Sequence, residues 1–143
     1  MIIHNGADVS FLKSYRSLKK TNVESTAELI RLNAPCRIPI HFISSAAVAG
    51  FVPCTELPLR EVSIASDTPA AKNGSHSYQV AKCVSERLLE KASERYGMKV
   101  ILHRPTGVVA EESPRIDILA SFLKYSQILG AARTWMAGAG TLT

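Results

Sequence analysis

At 143 residues the chain has room for one domain or a piece of one, and 46% hydrophobic against 20% charged residues is enough to build a core. Its net charge of +5 is scattered along the sequence without the clustering of a nucleic-acid surface, although it is compatible with an acidic partner such as a carrier protein or a phosphorylated cofactor. No run of eighteen apolar residues marks a membrane span, and MIIHNGADVS lacks the basic and long apolar regions of a signal peptide.

Met1–His4 is a short apolar run that stops at Asn5-Gly6-Ala7, which predicts a buried strand ending in a turn. Residues 11–33 carry Leu18, Val23, Ala27 and Ile30 at helical spacing, and Pro35 and Pro39 bracket the stop. Ile40–Ile43 reads as a second strand with Ser44-Ser45 at its end; residues 51–73, with Pro53, Pro58 and Pro69, read as an extended loop. From about Ser77 to Tyr96 the pattern is helical, with Val80, Val84, Leu88 and Ala92 expected inward and Gly97 as the C-cap. Lys99–His103 is a third strand, closed by Arg104-Pro105, and an apolar helix is expected over 116–130. The tail 131–143 reads as a loop or frayed end.

Strands alternating with helices predict an α/β fold with a parallel sheet. Such sheets bind ligands outside the carboxyl ends of their strands, and Asn5-Gly6-Ala7, Ser44-Ser45 and Arg104-Pro105 all lie there. Into the same region comes Tyr-x-x-x-Lys, Tyr78 and Lys82, about 33 residues after the serines. A spacing of four sets both side chains on one helical face, where an ammonium favours the phenolate. A serine hydroxyl nearby could hold a substrate oxygen while the tyrosine gives or takes its proton. Alone, a Tyr/Lys pair at this spacing is more often a packed ring beside a solvated charge. Its neighbours, in order, make it the equipment of a carbonyl reductase, dehydrogenase or epimerase.

The other reactive residue types carry less. His4, His41, His76 and His103 have no metal-ligand spacing, and Glu111-Glu112 reads as a solvated turn. Cys36, Cys54 and Cys83, odd in number, read as reduced thiols of a cytoplasmic protein, with Cys83 a packing residue.

With these residues placed, the chain resembles the extended short-chain dehydrogenase/reductase superfamily. Within it, the resemblance is to the thioester reductase, or male-sterility-type, NAD(P)-binding domains that end many fungal polyketide synthase–nonribosomal peptide synthetase hybrids. It is carried by HNGADVSFLKSYRSLKKTNVEST, HFISSAAV, SYQVAK and HRPTGVV, in that order, and covers roughly residues 1–130 as a partial NAD(P)-binding domain. It implies Ser45 as the substrate-orienting hydroxyl, Tyr78 as the general acid, and Lys82 as the residue that lowers the tyrosine pKa and binds the nicotinamide ribose. Gly6 and Ala7 would lie along the dinucleotide, and Pro105, Thr106 and Gly107 would line its nicotinamide end. Asn22 matches a helix asparagine that is usually more structural than chemical. The implied cofactor is NADP(H); the implied partners are an acyl or peptidyl carrier protein or a complementing reductase segment.

The sequence departs from the family pattern in one large respect. No G-x-x-G-x-x-G turn, the element that lets backbone approach a pyrophosphate at a helix N-terminus, occurs anywhere in it. The resemblance therefore implies the C-terminal part of a Rossmann-like sheet flanked by helices, beginning at about the fourth strand, with Met1–His4 presenting an apolar edge. Ser25 stands where the group commonly has glycine. Four functions stay open: reductive release of a carrier-bound thioester, redox-independent ring closure, nucleotide-sugar epimerisation or dehydration, and a non-catalytic truncated remnant or accessory module. His-Asn-Gly-Ala favours the first over the sugar enzymes, retention of Tyr78 and Lys82 argues against simple ring closure, and the missing glycine turn supports the remnant.

Overall fold

The computed structural model describes residues 1–10, 12–52, 60–64, 76–108 and 118–129. They belong to two compact units, Met1–Thr106 and Gly107–Thr143. In the first, three parallel strands stand in the order β1 (Ile2–His4), β2 (Ile40–Ile43), β3 (Val100–His103). The register sets Ile3 beside His41 and His41 beside Ile101. Parallel neighbours require a crossover between them, and both crossovers are helical, as the alternation of apolar patterns implies.

The first crossover starts later than residue 11. Ser14 caps it, its hydroxyl accepting from the Ser17 amide at 3.3 Å, so that α1 spans Tyr15–Lys19. A π-turn over Lys20–Glu24 leads into α2, Ser25–Asn33. The wider turn brings two consecutive residues, Asn22 and Val23, inside together, which a regular α-helical stripe does not predict. At the position of the unusual serine, the Ser25 hydroxyl donates to the Thr21 carbonyl and is absorbed by the helix. Asn33 closes the crossover, its amide side chain donating to the Ile38 carbonyl at 2.7 Å and accepting from the Ile38 amide at 3.0 Å.

The second crossover opens with a 3₁₀-helix, Ala46–Phe51, capped by Ser45, and is completed by α3, Ser77–Tyr96. Of the loop expected over 51–73, Phe51 ends the 3₁₀-helix, Val52 caps it and residues 60–64 are irregular; the remainder lies outside the described residues. Gly97 does end α3: its φ of +63° is a left-handed conformation that costs a residue with a Cβ about 1–2 kcal/mol, and its amide returns to the Ser93 carbonyl.

Ile40 and Phe42 of β2 point into a core with Ile30, Leu89, Ala92 and Met98. A second cluster, Val48, Val52, Ile64 and Cys83, fastens the 3₁₀-helix to α3 and confirms Cys83 as a packing residue. Because α3 meets the sheet on one side and the 3₁₀-helix on another, its buried face is broader than one apolar stripe. Val80 and Ala92 are inside as expected, Val84 and Leu88 are only half-buried, Leu89 is fully buried, and Lys82, Ser85 and Glu86 are drawn in with them.

The alternate residues of the strands, Ile3, His41, Ile43, Ile101 and His103, occupy the other face of the sheet. Ile3 there is 61% exposed, so β1 is the apolar edge strand expected from the missing neighbours and not the buried strand its apolar run predicts. His41 and His103 meet ring to ring, Nδ1 to Nε2 at 2.9 Å, with centroids 5.2 Å apart and planes 15° from parallel. They form a single shared N–H···N hydrogen bond, end to end. In the second unit, α4 spans Ile118–Leu129, inside the expected 116–130, with Tyr125 and Ile128 on its exposed side. No helix among the described residues is long and apolar enough to cross a membrane.

Candidate functional site at the carboxyl ends of the strands

Each strand end is held by a particular polar contact. After β1, Asn22 grips the backbone of Asp8 on both sides: its carbonyl oxygen accepts from the Asp8 amide at 2.7 Å and its NH₂ donates to the Asp8 carbonyl at 3.0 Å. The π-turn thus aims the asparagine at the segment that follows Asn5-Gly6-Ala7, a structural contact in keeping with the resemblance's reading of Asn22 as more structural than chemical. After β2 and β3 the pairing continues past the strands, with Ser44 N–H donating to the His103 carbonyl (2.7 Å) and Ala46 N–H to that of Pro105 (2.9 Å). Ser44-Ser45 and Arg104-Pro105 are thereby laid side by side.

Lys82 reaches this edge from α3. Its ammonium donates to the Ile43 carbonyl at 2.6 Å, lies 4.8 Å from the Phe42 ring centroid and 5.8 Å from that of Tyr78, and is nearly sealed from solvent. Tyr78 is likewise buried, one turn earlier on the same face. Burial pushes the Tyr78 phenol above its ordinary pKa. The direction is opposite to the lowering by Lys82 that the resemblance implies, and it keeps Tyr78 protonated at neutral pH. Burial also lowers the Lys82 ammonium, opposed by the Glu86 carboxylate.

His4, at the end of β1, closes the inner side. Its Nε2 is 3.1 Å from the Thr26 hydroxyl and its ring packs 5.4 Å from that of Phe42. Burial first, and the Lys82 charge second, hold its pKa below the ordinary histidine value. An unfolded His4 therefore takes up a proton before the folded one does, and the chain loses stability as pH falls below about 6.5. We expect the urea midpoint to be lower at pH 5.5 than at pH 7.5, and the difference to shrink in His4→Gln; an equal difference in both proteins would refute this role.

The two serines are used differently. Ser45 is half-buried and its Oγ accepts from the Ala47 amide at 3.2 Å, capping the 3₁₀-helix, and among the described residues no acceptor takes its own proton. Ser44 is buried, and its Oγ has no hydrogen-bond partner among the described residues. Gly6 is exposed, and a Cβ built on it would meet only the His4 ring at 3.9 Å. The protein's own packing does not require a glycine there. Ala7 follows it, half-buried. Pro105 is pinned through its carbonyl and Thr106 ends the first unit; Gly107 opens the second. Within the first unit, the exposed Gly6, the buried Lys82 cation and Tyr78 phenol, and the buried Ser44 hydroxyl are features compatible with the nicotinamide end of a dinucleotide.

A buried ion pair was not singled out by the sequence pattern. Glu86 is fully enclosed and accepts from Arg104 through both carboxylate oxygens, Nε at 3.2 Å and Nη2 at 2.8 Å. Arg104 Nη1 also donates to the Val62 carbonyl at 3.1 Å. The available signal was the i,i+4 spacing of Glu86 from Lys82, which continues the Tyr78–Lys82 row by one turn. Beside the pair an open groove of about 840 Å³ follows β3, lined among others by Ala46, Val62, Ser63, Glu90 and Thr106. Glu111, Glu112 and the tail 131–143 lie outside the described residues.

Known proteins match this chain along nearly its full length. It is 44% identical over 141 residues to the polyketide synthase-nonribosomal peptide synthetase ffsA of Aspergillus flavipes, covering 99% of this chain and 3% of that protein. The crystal structure of the terminal R domain from the myxalamid PKS-NRPS biosynthetic pathway superposes with a TM-score of 0.71 at 32% identity, over 92% of this chain and 33% of that one. A thiolation-reductase di-domain from an archaeal non-ribosomal peptide synthetase shares the fold, with a TM-score of 0.63 at 19% identity over 91% of this chain and 37% of that one. The chain thus spans about 3% of the length of the curated relatives it matches and a third of the R-domain chain. The sheet is the parallel, Rossmann-like one that those structures share, residues 1–141 match the family described as Male sterility protein, and the chain belongs to that family.

Proposed function

We propose that this chain supplies the nicotinamide end and the proton-donating side chains of an NADPH-dependent thioester reductase that releases carrier-bound acyl or peptidyl chains. The observation that supports it is the enclosed Lys82 ammonium, tied to the end of β2 and set against Tyr78 where the strand ends converge. When bound, the nicotinamide supplies the hydride. Lys82 and Tyr78 hold its ribose, Gly6 and Ala7 leave room along the dinucleotide, and Pro105, Thr106 and Gly107 line its nicotinamide end. Ser45 orients the substrate carbonyl through its hydroxyl proton. Tyr78, protonated at neutral pH, donates to the carbonyl oxygen as charge develops there. The Lys82 ammonium then faces the phenolate left behind and lowers the cost of forming it.

The natural partner in this reading is a carrier domain, as the names of the relatives suggest, and reduced thiols fit a cytoplasmic setting. The lack of a G-x-x-G-x-x-G turn favours a second reading, in which the chain works only when complemented by a segment that carries one. Fluorescence titration of the purified chain with NADPH separates the two. Saturable binding, with NADPH-dependent thioester reduction falling about 100- to 10,000-fold in a folded Tyr78→Phe variant, is the expected result for the reductase. Absence of binding would overturn it as an autonomous activity.

A further inference from the structure

We propose that Glu86, held by Arg104, is a positioning residue for Lys82: its enclosed carboxylate is the counter-charge that keeps the lysine a cation facing Tyr78. The role rests on the reductase reading, because the reaction needs that cation, and is argued from the burial of both side chains and their spacing on α3. Lys82 and Glu86 stand one turn apart on α3, on the row that begins at Tyr78. The Lys82 ammonium donates to the Ile43 carbonyl and lies over two aromatic rings, none of which carries a full negative charge. His4, the titratable group facing it from β1, repels it when protonated. A buried ammonium with only these neighbours tends to lose its proton to escape desolvation.

Glu86 is the anion that opposes this, and Arg104 keeps it in place. Guanidinium and carboxylate are matched fork to fork, which fixes the carboxylate orientation as a single hydrogen bond would not. Through its contact with the Val62 carbonyl, Arg104 also ties the start of the β3 exit to the 60–64 segment. The charge of Lys82 therefore depends on a carboxylate one turn along α3, which Arg104 holds in place. The charged and titratable groups around the lysine are Tyr78 and Glu86 from α3, His4 from β1, and Arg104 from the β3 end. Burial and Glu86 act on it in opposite directions.

The test reads Lys82 itself, without cofactor or turnover. Lysine Cε and Hε resonances of ¹³C-labelled chain are followed through pH, with Lys82 assigned by Lys82→Arg. In Glu86→Gln, which keeps the shape and a hydrogen-bond acceptor, the Lys82 titration midpoint should fall by about one pH unit or more, and Glu86→Asp should restore part of it. An unchanged midpoint in the folded Glu86→Gln protein overturns the role, whatever becomes of NADPH binding. Should that variant not fold, Glu86→Asp, which draws the charge back by one methylene, is read instead: a lowered Lys82 midpoint supports the role and a midpoint equal to that of the unsubstituted chain overturns it. Failure of NADPH to bind, with the midpoint shifted, would defeat the reductase reading and leave this inference standing.

Discussion

Replacing Arg104 by alanine lowers the stability of the chain by about 3–5 kcal/mol, read as a fall in the urea midpoint. Most of that loss comes from what stays behind. Glu86 is fully enclosed, and the charge it keeps after Arg104 is truncated has no other cation within the salt bridges of the described residues. Alanine also releases the Val62 carbonyl from its donor. Replacing both partners with apolar residues of similar size, Glu86→Leu with Arg104→Met, should recover only part of the loss, because the stranded Glu86 charge is gone but the buried Lys82 is left without its counter-charge. A loss below about 1 kcal/mol for Arg104→Ala would mean that solvent reaches Glu86 and that the pair is an ordinary surface contact.

Phe42→Ala is expected to cost a similar amount, about 3–5 kcal/mol. The ring is almost completely buried, at the centre of the cluster formed by Ile30, Ile40, Leu89, Ala92 and Met98. It has two further neighbours that an aliphatic core residue would serve less well: the His4 ring at 5.4 Å and the Lys82 ammonium at 4.8 Å. A desolvated cation over an aromatic face contributes about 2 kcal/mol, so Phe42→Leu should retain the packing but not all of the stability. Equal stability of wild type and Phe42→Leu in urea unfolding would remove the cation from this account.

Much of this was readable from residue order. Ile40–Ile43 is a strand because a continuous β-branched and aromatic run between prolines and serines has few other options, and its neighbours on either side follow the same rule. Gly97 announces the end of α3 because only an achiral residue takes the left-handed cap without strain. The limits of α1 were less legible: the apolar pattern extends to residue 11, but the Ser14 hydroxyl decides where the first turn closes. Periodicity also misjudged the inner face of α3. A moment calculated on apolar residues cannot register that Lys82, Ser85 and Glu86 go inside because each finds a polar partner there.

The sequence by itself determined the alternation of strands and helices, the parallel sheet, and the arrival of Tyr78, Lys82, Ser44-Ser45 and Arg104-Pro105 at one edge. These follow from local pattern, since period and turn chemistry are properties of consecutive residues. Only the tertiary structure decided that Ser45 caps a helix while Ser44 is the enclosed hydroxyl, that Asn22 grips Asp8 fourteen residues away, and that Glu86 meets Arg104. Those contacts join separate elements, and desolvation, which sets the protonation of Tyr78 and Lys82, exists only once those elements have closed over them.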